Sequence, residues 1–155
     1  MNIDQNRNLN PLVGTWHLAR WEVTYGDGRP ATLPFGPRAS GIIVYAPDGW
    51  MNASMSRPDR KPLSAESARF APAEERLAAF DSFFSYGGRY RISSEGGADY
   101  VTHSVTQAHN PSLVGTEQRR RMKFGADGSL TLAADDTVPG TTVARHHRLV
   151  WKRAA

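Results

Sequence analysis

The residues best suited to chemistry lie between Tyr100 and Phe124, in the stretch YVTHSVTQAHNPSLVGTEQRRRMKF. His103 sits in a run of Val and Thr, and Gln118 precedes three consecutive arginines, Arg119, Arg120 and Arg121. The two halves read as β-strands joined at Asn110-Pro111-Ser112, since β-branched runs flank a cluster of turn formers. A turn centred near Ser112 puts His103 across from Arg120 or Arg121, and a one-residue slip exchanges the two. Parity narrows the choice. Gln118, Arg120, Met122 and Phe124 share one face of the second strand, and Val101, His103 and Val105 share one face of the first. Their apolar members mark these faces as inward. The expectation is that His103, Gln118 and Arg120 point inside, with Arg119 and Arg121 in solvent.

An inward arginine needs a carboxylate, a carbonyl or a ligand anion beside it, because an unpaired buried cation is costly. Glu22 on the first strand is one internal partner the sequence offers. An imidazole titrates near neutrality, so His103 is suited to donate a hydrogen bond or move a proton, with Tyr86 or Tyr90 as relay. The catalytic candidates are therefore His103, Arg120 and Tyr90. The same residues also fit a structural His–Arg network that satisfies itself.

The rest of the chain must position this pair. Residues 12–25 alternate imperfectly and end at Gly26-Asp27-Gly28; residues 41–45 and 50–55 form a hairpin about Asp48-Gly49. Residues 57–86 change character: Ser64 caps a short helical segment over 64–70, and Pro72 opens a second helix. Leu77, Phe80 and Phe84 form an apolar stripe widened by Phe83, which predicts a helical lid or plug on the barrel. Strand signals resume at residues 88–92, continue through the central pair and residues 129–132, and close with residues 142–152. About eight short strands, punctuated by turns, predict an all-β domain, an up-and-down barrel or a sandwich, with a helical insertion between the third and fourth strands.

An eight-stranded barrel encloses room for side chains or one small ligand. Trp16, Tyr45, Trp50, Tyr86, Tyr90 and Trp151, with Met51 and Met55, could line one cavity or fill one core. The ligand-binding candidates are Tyr45, Trp50, Met51, Met55, Phe83, Tyr86, Gln118 and Met122, and the ligand class is a small hydrophobic or aromatic molecule with one polar end.

Composition limits the alternatives. A length of 155 residues fits one domain spanning 1–155, with residues 1–10 as a flexible or loosely packed segment. The absence of cysteine and of an apolar leader points to a cytoplasmic protein. No run of roughly 20 apolar residues exists to span a bilayer, so no membrane partner is expected. The net charge of +4 invites a nucleic-acid reading, but the 19 basic residues are scattered and no nucleic-acid motif accompanies them. His146 and His147 are adjacent and face opposite sides of a strand, and no ligand spacing suggests a metal. Neither a dinucleotide fingerprint nor a P-loop is present, so no cofactor is expected. A homodimer is compatible with the sequence.

Gly14-Thr15-Trp16 matches a G-x-W signature on the first strand, and the match continues through residues 41–49, Tyr86-Gly87-Gly88-Arg89-Tyr90, Thr102-His103, Pro111, Gly115-Thr116-Glu117-Gln118 and residues 130–132. In that order and spacing, over roughly residues 11–152, the chain resembles the bacterial and fungal lipocalin-like domain family of small single-domain proteins. The resemblance implies an eight-stranded antiparallel up-and-down barrel, with Trp16 plugging its closed end. It also implies either ligand binding or cofactor-independent isomerase, cyclase or hydro-lyase chemistry on a small natural-product-like molecule through His103 and Arg120. Leu113 stands where the family often carries an aromatic residue, and the arginine run replaces a mixed strand.

Overall fold

The structure, a computed structural model, describes residues 10–155. Eight antiparallel strands close into a barrel in chain order: β1 (Gly14–Tyr25), β2 (Ser40–Tyr45), β3 (Trp50–Ser56), β4 (Phe83–Glu95), β5 (Ala98–Ala108), β6 (Glu117–Phe124), β7 (Leu130–Thr137) and β8 (Ala144–Arg153). The barrel expected from the strand count is thus the one observed, and the sandwich is not. β8 returns to β1 along a ladder from Trp16 opposite Arg153 to Tyr25 opposite Arg145, leaving no free sheet edge.

Alternation explains which side chains fill the interior. On β3, Met51, Ala53 and Met55 are buried, whereas Trp50 and Asn52 face solvent. On β1 a bulge between Leu18 and Arg20 shifts the phase, so Trp16 and Leu18 point inward before it and Val23 after it. This bulge is why residues 12–25 alternate imperfectly. It also turns Glu22 outward, where it pairs with Arg20 at 2.6 Å; the expectation of Glu22 as a partner for Arg120 is therefore corrected.

A second bulge lies between β4 and β5, where Gly87 opposes Gln107 and Gly88 opposes Val105. Gly88 is required there: a Cβ on it would stand 2.0 Å from the Ser104 carbonyl oxygen. The close approach of backbones sets Tyr86 and Tyr90 on either side of the bulge.

The insertion between β3 and β4 contains one helix, α1 (Ala73–Asp81), and a single 3-10 turn at Ala68–Phe70 in place of the helical segment expected over 64–70. Ser64 caps nothing locally. Its backbone N–H and hydroxyl instead donate to Glu75 at 2.9 and 3.0 Å, beside the positive end of α1. No α1 residue is buried; Leu77 is 62% exposed, so α1 lies on the outside as a flap and does not plug the barrel. Phe80 holds it by stacking on His109 with centroids 4.1 Å apart. Phe83 and Phe84 belong to β4, which begins five residues earlier than its first strong signal at Gly88.

The central hairpin is longer at its tip than a tight turn. Gly115 and Thr116 still pair with Val105, and a 3-10 turn at Pro111–Leu113 follows Asn110, whose side chain accepts from the Ser112 N–H. The register consequently places His103 opposite Gln118 and Val101 opposite Arg120, which corrects the expected His103–Arg120 facing. The predicted parity holds: Gln118 and Arg120 are part-buried, Met122 is buried, and Arg119 and Arg121 are exposed.

Trp16 is among the largest fully buried side chains of the core. This residue is 1% exposed, gives its indole N–H to the Leu12 carbonyl at 2.9 Å, and lies under the Arg153 guanidinium at 4.1 Å. Arg153 in turn donates to the carbonyls of Val13 and Pro11. Of the segment 1–10 expected to be loosely packed, residues 1–9 lie outside the described residues; Asn10 is anchored through a hydrogen bond to the Tyr90 hydroxyl. Among the described residues no helix is long and apolar enough to cross a membrane.

Candidate functional site

The half of the barrel away from Trp16 holds a cavity of about 430 Å³, a volume within the range of small-molecule pockets. Its walls are mostly apolar: Ile43, Ala53, Met55, Phe84, Leu132, Leu149 and Trp151 come from five different strands. Leu113 from the β5–β6 connection and Trp21, packed edge-on against Phe35 at 5.2 Å, stand nearer the rim.

Two polar groups face this space from deep in the barrel. His103 is 1% exposed and has both ring nitrogens engaged, Nε2 with the Tyr45 hydroxyl and Nδ1 with the Tyr86 hydroxyl, each at 2.7 Å. Burial first, and the nearby Arg120 charge second, push its pKa down to about 3. The ring is therefore neutral at pH 7, with one N–H and one lone pair. Burial likewise raises the pKa of both Tyr45 and Tyr86, while Arg120 acts on Tyr86 in the opposite sense through its charge and a hydrogen bond. A guanidinium can only donate. The neutral His103 ring, by contrast, donates from one nitrogen and accepts at the other, so one of the two tyrosine hydroxyls gives it a proton and the other receives one.

Arg120 is the second group. Its guanidinium donates to Gln118 Oε1 at 3.2 Å and to the Arg119 carbonyl at 3.1 Å. Gln118 is held in turn, its Nε2 donating to Thr116 Oγ1 at 2.9 Å. Among the described residues no carboxylate pairs with Arg120, and the protein partners of this part-buried cation are neutral dipoles.

A third cluster marks the rim. Asp136 on β7 receives two hydrogen bonds from Arg145 on β8, both at 2.7 Å. Trp21 Nε1 donates to His147 Nδ1 at 3.3 Å, so the other nitrogen carries the proton of the neutral ring. Asp136 Oδ1 approaches that Nε2 to 3.3 Å. The direction of approach is poor, however, and Nε2–H has no hydrogen-bond acceptor among the described residues. Burial holds the His147 pKa below its ordinary value, with Asp136 opposing and the cations Arg145 and Arg120 adding to the fall.

The structure gathers His103, Arg120, Gln118, Tyr86 and Met55 on the cavity, with Tyr45 directly behind His103. Met51 and Met122 are buried in the core. Three expected residues lie elsewhere. Trp50 takes the solvent face of β3, 43% exposed under the Arg89 guanidinium. Phe83 starts β4 beneath the α1 flap and packs on His109 and Arg60. Tyr90 sits on the far side of Tyr45, its hydroxyl donating to the Ala46 carbonyl and accepting from Asn10; it is removed from the proton chain as a relay. The sequence reading passed over Trp21, Asp136, Arg145 and His147. The signal lies in β8, where Arg145, His147, Leu149 and Trp151 share one parity and hence one face. Among the described residues no three His, Cys, Asp or Glu side chains converge as a metal cage.

The arrangement can hold a molecule with an apolar body and one acceptor or anionic end. The sequence model of a family described as a lipocalin-like domain matches residues 13–154. No curated protein matches the chain.

Proposed function

The chain belongs to the lipocalin-like domain family, and from that premise we propose that it binds a small hydrophobic or aromatic molecule by a single polar end. The observation that carries this reading is Arg120, a cation facing an apolar cavity of about 430 Å³ without a carboxylate partner among the described residues. Inside such a cavity a ligand carboxylate or enolate gains more from one guanidinium than it would in water. Gln118 holds the guanidinium in place, which limits the entropy lost on binding.

A second reading makes the same site a cofactor-independent isomerase, cyclase or hydro-lyase. Its support is the hydrogen-bonded row Tyr45–His103–Tyr86, with the Arg120 charge near Tyr86, a route along which a proton can move. Binding ranks first because His103 has both nitrogens occupied and a pKa pushed down to about 3, which makes it a weak base at neutral pH.

The test is calorimetric titration with 2-naphthoate and with its uncharged analogue 2-naphthamide. Wild-type protein is expected to prefer the carboxylate, and Arg120→Gln to lose roughly ten- to a hundredfold of its affinity for it. Equal binding of 2-naphthoate by wild type and Arg120→Gln would overturn the anchoring role of Arg120.

A further inference from the structure

Resting on the binding reading above, the hydrogen-bond inventory of the cavity goes further. His103 has no free nitrogen. Gln118 gives and receives within the protein. The Trp21 N–H is taken by His147. The carboxylates of Asp135 and Asp136 lie at the rim and are held by His146 and by Arg145. What remains deeper inside is one-sided. Arg120 retains N–H groups beyond those given to Gln118 and the Arg119 carbonyl, since a guanidinium carries five. Trp151, a wall residue of the cavity that is 2% exposed, has an indole N–H with no acceptor among the described residues.

Buried polar groups in folded proteins nearly always find a partner, and an unmatched one signals a group that is completed by something else. Trp16, equally buried, shows the rule obeyed, because its N–H meets the Leu12 carbonyl. We infer that the ligand is an aromatic monoanion carrying a second, carbonyl-type oxygen: the anionic group meets Arg120 and the second oxygen accepts from Trp151 Nε1–H. The ligand is a monoanion because Arg120 is the interior's single uncompensated cation among the described residues, Arg145 being neutralised by Asp136. It accepts and does not donate, because the deep wall has hydrogens to give and no free acceptor to receive one. The indole nitrogen is enclosed, so a small adjustment of the side chains around it accompanies contact. Trp151 is on this view the specificity-determining residue, and Arg120 the anchor.

Two probes share one ring frame and one carboxylate: anthraquinone-2-carboxylate carries two ring carbonyls and anthracene-2-carboxylate carries none. In calorimetric titration the wild-type protein is expected to prefer the quinone by about tenfold, the scale of one buried hydrogen bond. Trp151→Phe should bring the two probes to equal affinity, and Arg120→Gln should weaken both. A measurement that needs no variant to fold is the indole N–H resonance of Trp151 in wild-type protein. It should move downfield with the quinone and stay with the anthracene acid. Equal wild-type affinities, a preference that survives Trp151→Phe, or an unmoved indole resonance would overturn the inference while the binding reading stands. Failure of both acids to bind wild-type protein would overturn the binding reading, and this inference with it.

Discussion

The two ends of the barrel treat the same residue types in opposite ways. At one end Trp16 donates to the Leu12 carbonyl and carries the Arg153 guanidinium on its ring, and Arg153 itself donates to two backbone carbonyls. In the cavity half, Trp151 is as deeply buried but its N–H finds no acceptor among the described residues, and Arg120 has amide and carbonyl company without a carboxylate. The first end closes its own hydrogen bonds and stabilises the fold. The second leaves donors to spare, which costs stability and is useful when a ligand supplies the acceptors.

Acid should act on the cavity half first. His103 is neutral when folded, with a pKa near 3 against an ordinary value of 6.5. Its folded-state pKa is depressed, so the folded state takes up this proton less readily than the unfolded chain. The contribution to stability is complete above pH 6.5 and is lost as pH falls from there towards 3. The full loss is on the order of 5 kcal/mol from a shift of this size. Urea unfolding between pH 7 and pH 4 should show the decline in wild-type protein and much less of it in His103→Gln. In Arg120→Gln one of the two causes of the depression is gone, so its acid sensitivity should be intermediate. A wild-type stability that is flat between pH 6.5 and 4 would remove His103 from its buried, doubly bonded position.

Truncation should separate the ends at neutral pH. Trp16→Ala deletes a fully buried ring and is expected to cost about 4 kcal/mol, a fall in Tm of roughly 10 °C for a chain of this length. Arg120→Gln removes a charge that is not paired and should change stability by less than about 1 kcal/mol, while abolishing most carboxylate binding. Differential scanning calorimetry beside the naphthoate titration reads both. If Arg120→Gln melted like Trp16→Ala, Arg120 would be a structural residue and the contrast between the ends would collapse.

Much of this contrast was readable in the chain, and the failures have physical causes. Strand period and turn residues are local, so the eight strands and the inward parity of Gln118, Arg120 and Met122 followed from the sequence alone. Register at the central hairpin was not local: it depends on how many residues the connection absorbs, and the 3-10 turn at Pro111–Leu113 absorbs more than a tight turn would. His103 therefore meets Gln118 in the ladder. Its strongest partners, Tyr45 and Tyr86, come from strands 58 and 17 residues away, a distance no local pattern reports. The bulge between Leu18 and Arg20 reverses which face Glu22 takes, and so removes the carboxylate that the sequence offered to Arg120. Trp50 misled for a simpler reason: aromatic character suggested the cavity, while its place in the alternation of β3 sends it to solvent.

The finest division between the ends is a pair of identical substitutions. Trp16→Phe and Trp151→Phe remove the same atoms from positions buried to nearly the same degree, 1% and 2% exposed, so the apolar part of their cost should be similar. They differ in the hydrogen bond. Trp16→Phe leaves the buried Leu12 carbonyl without its donor, whereas Trp151→Phe removes an N–H that has no acceptor among the described residues. In the absence of added ligand, Trp16→Phe should therefore be the more destabilising by about 1 kcal/mol, measured as the difference in urea midpoints at equal slope. Replacement of the indole under the Arg153 guanidinium by the weaker phenyl face acts in the same direction. Should Trp151→Phe prove the costlier of the two, its N–H is already occupied in the free protein, and the donor would not be available to a ligand at all.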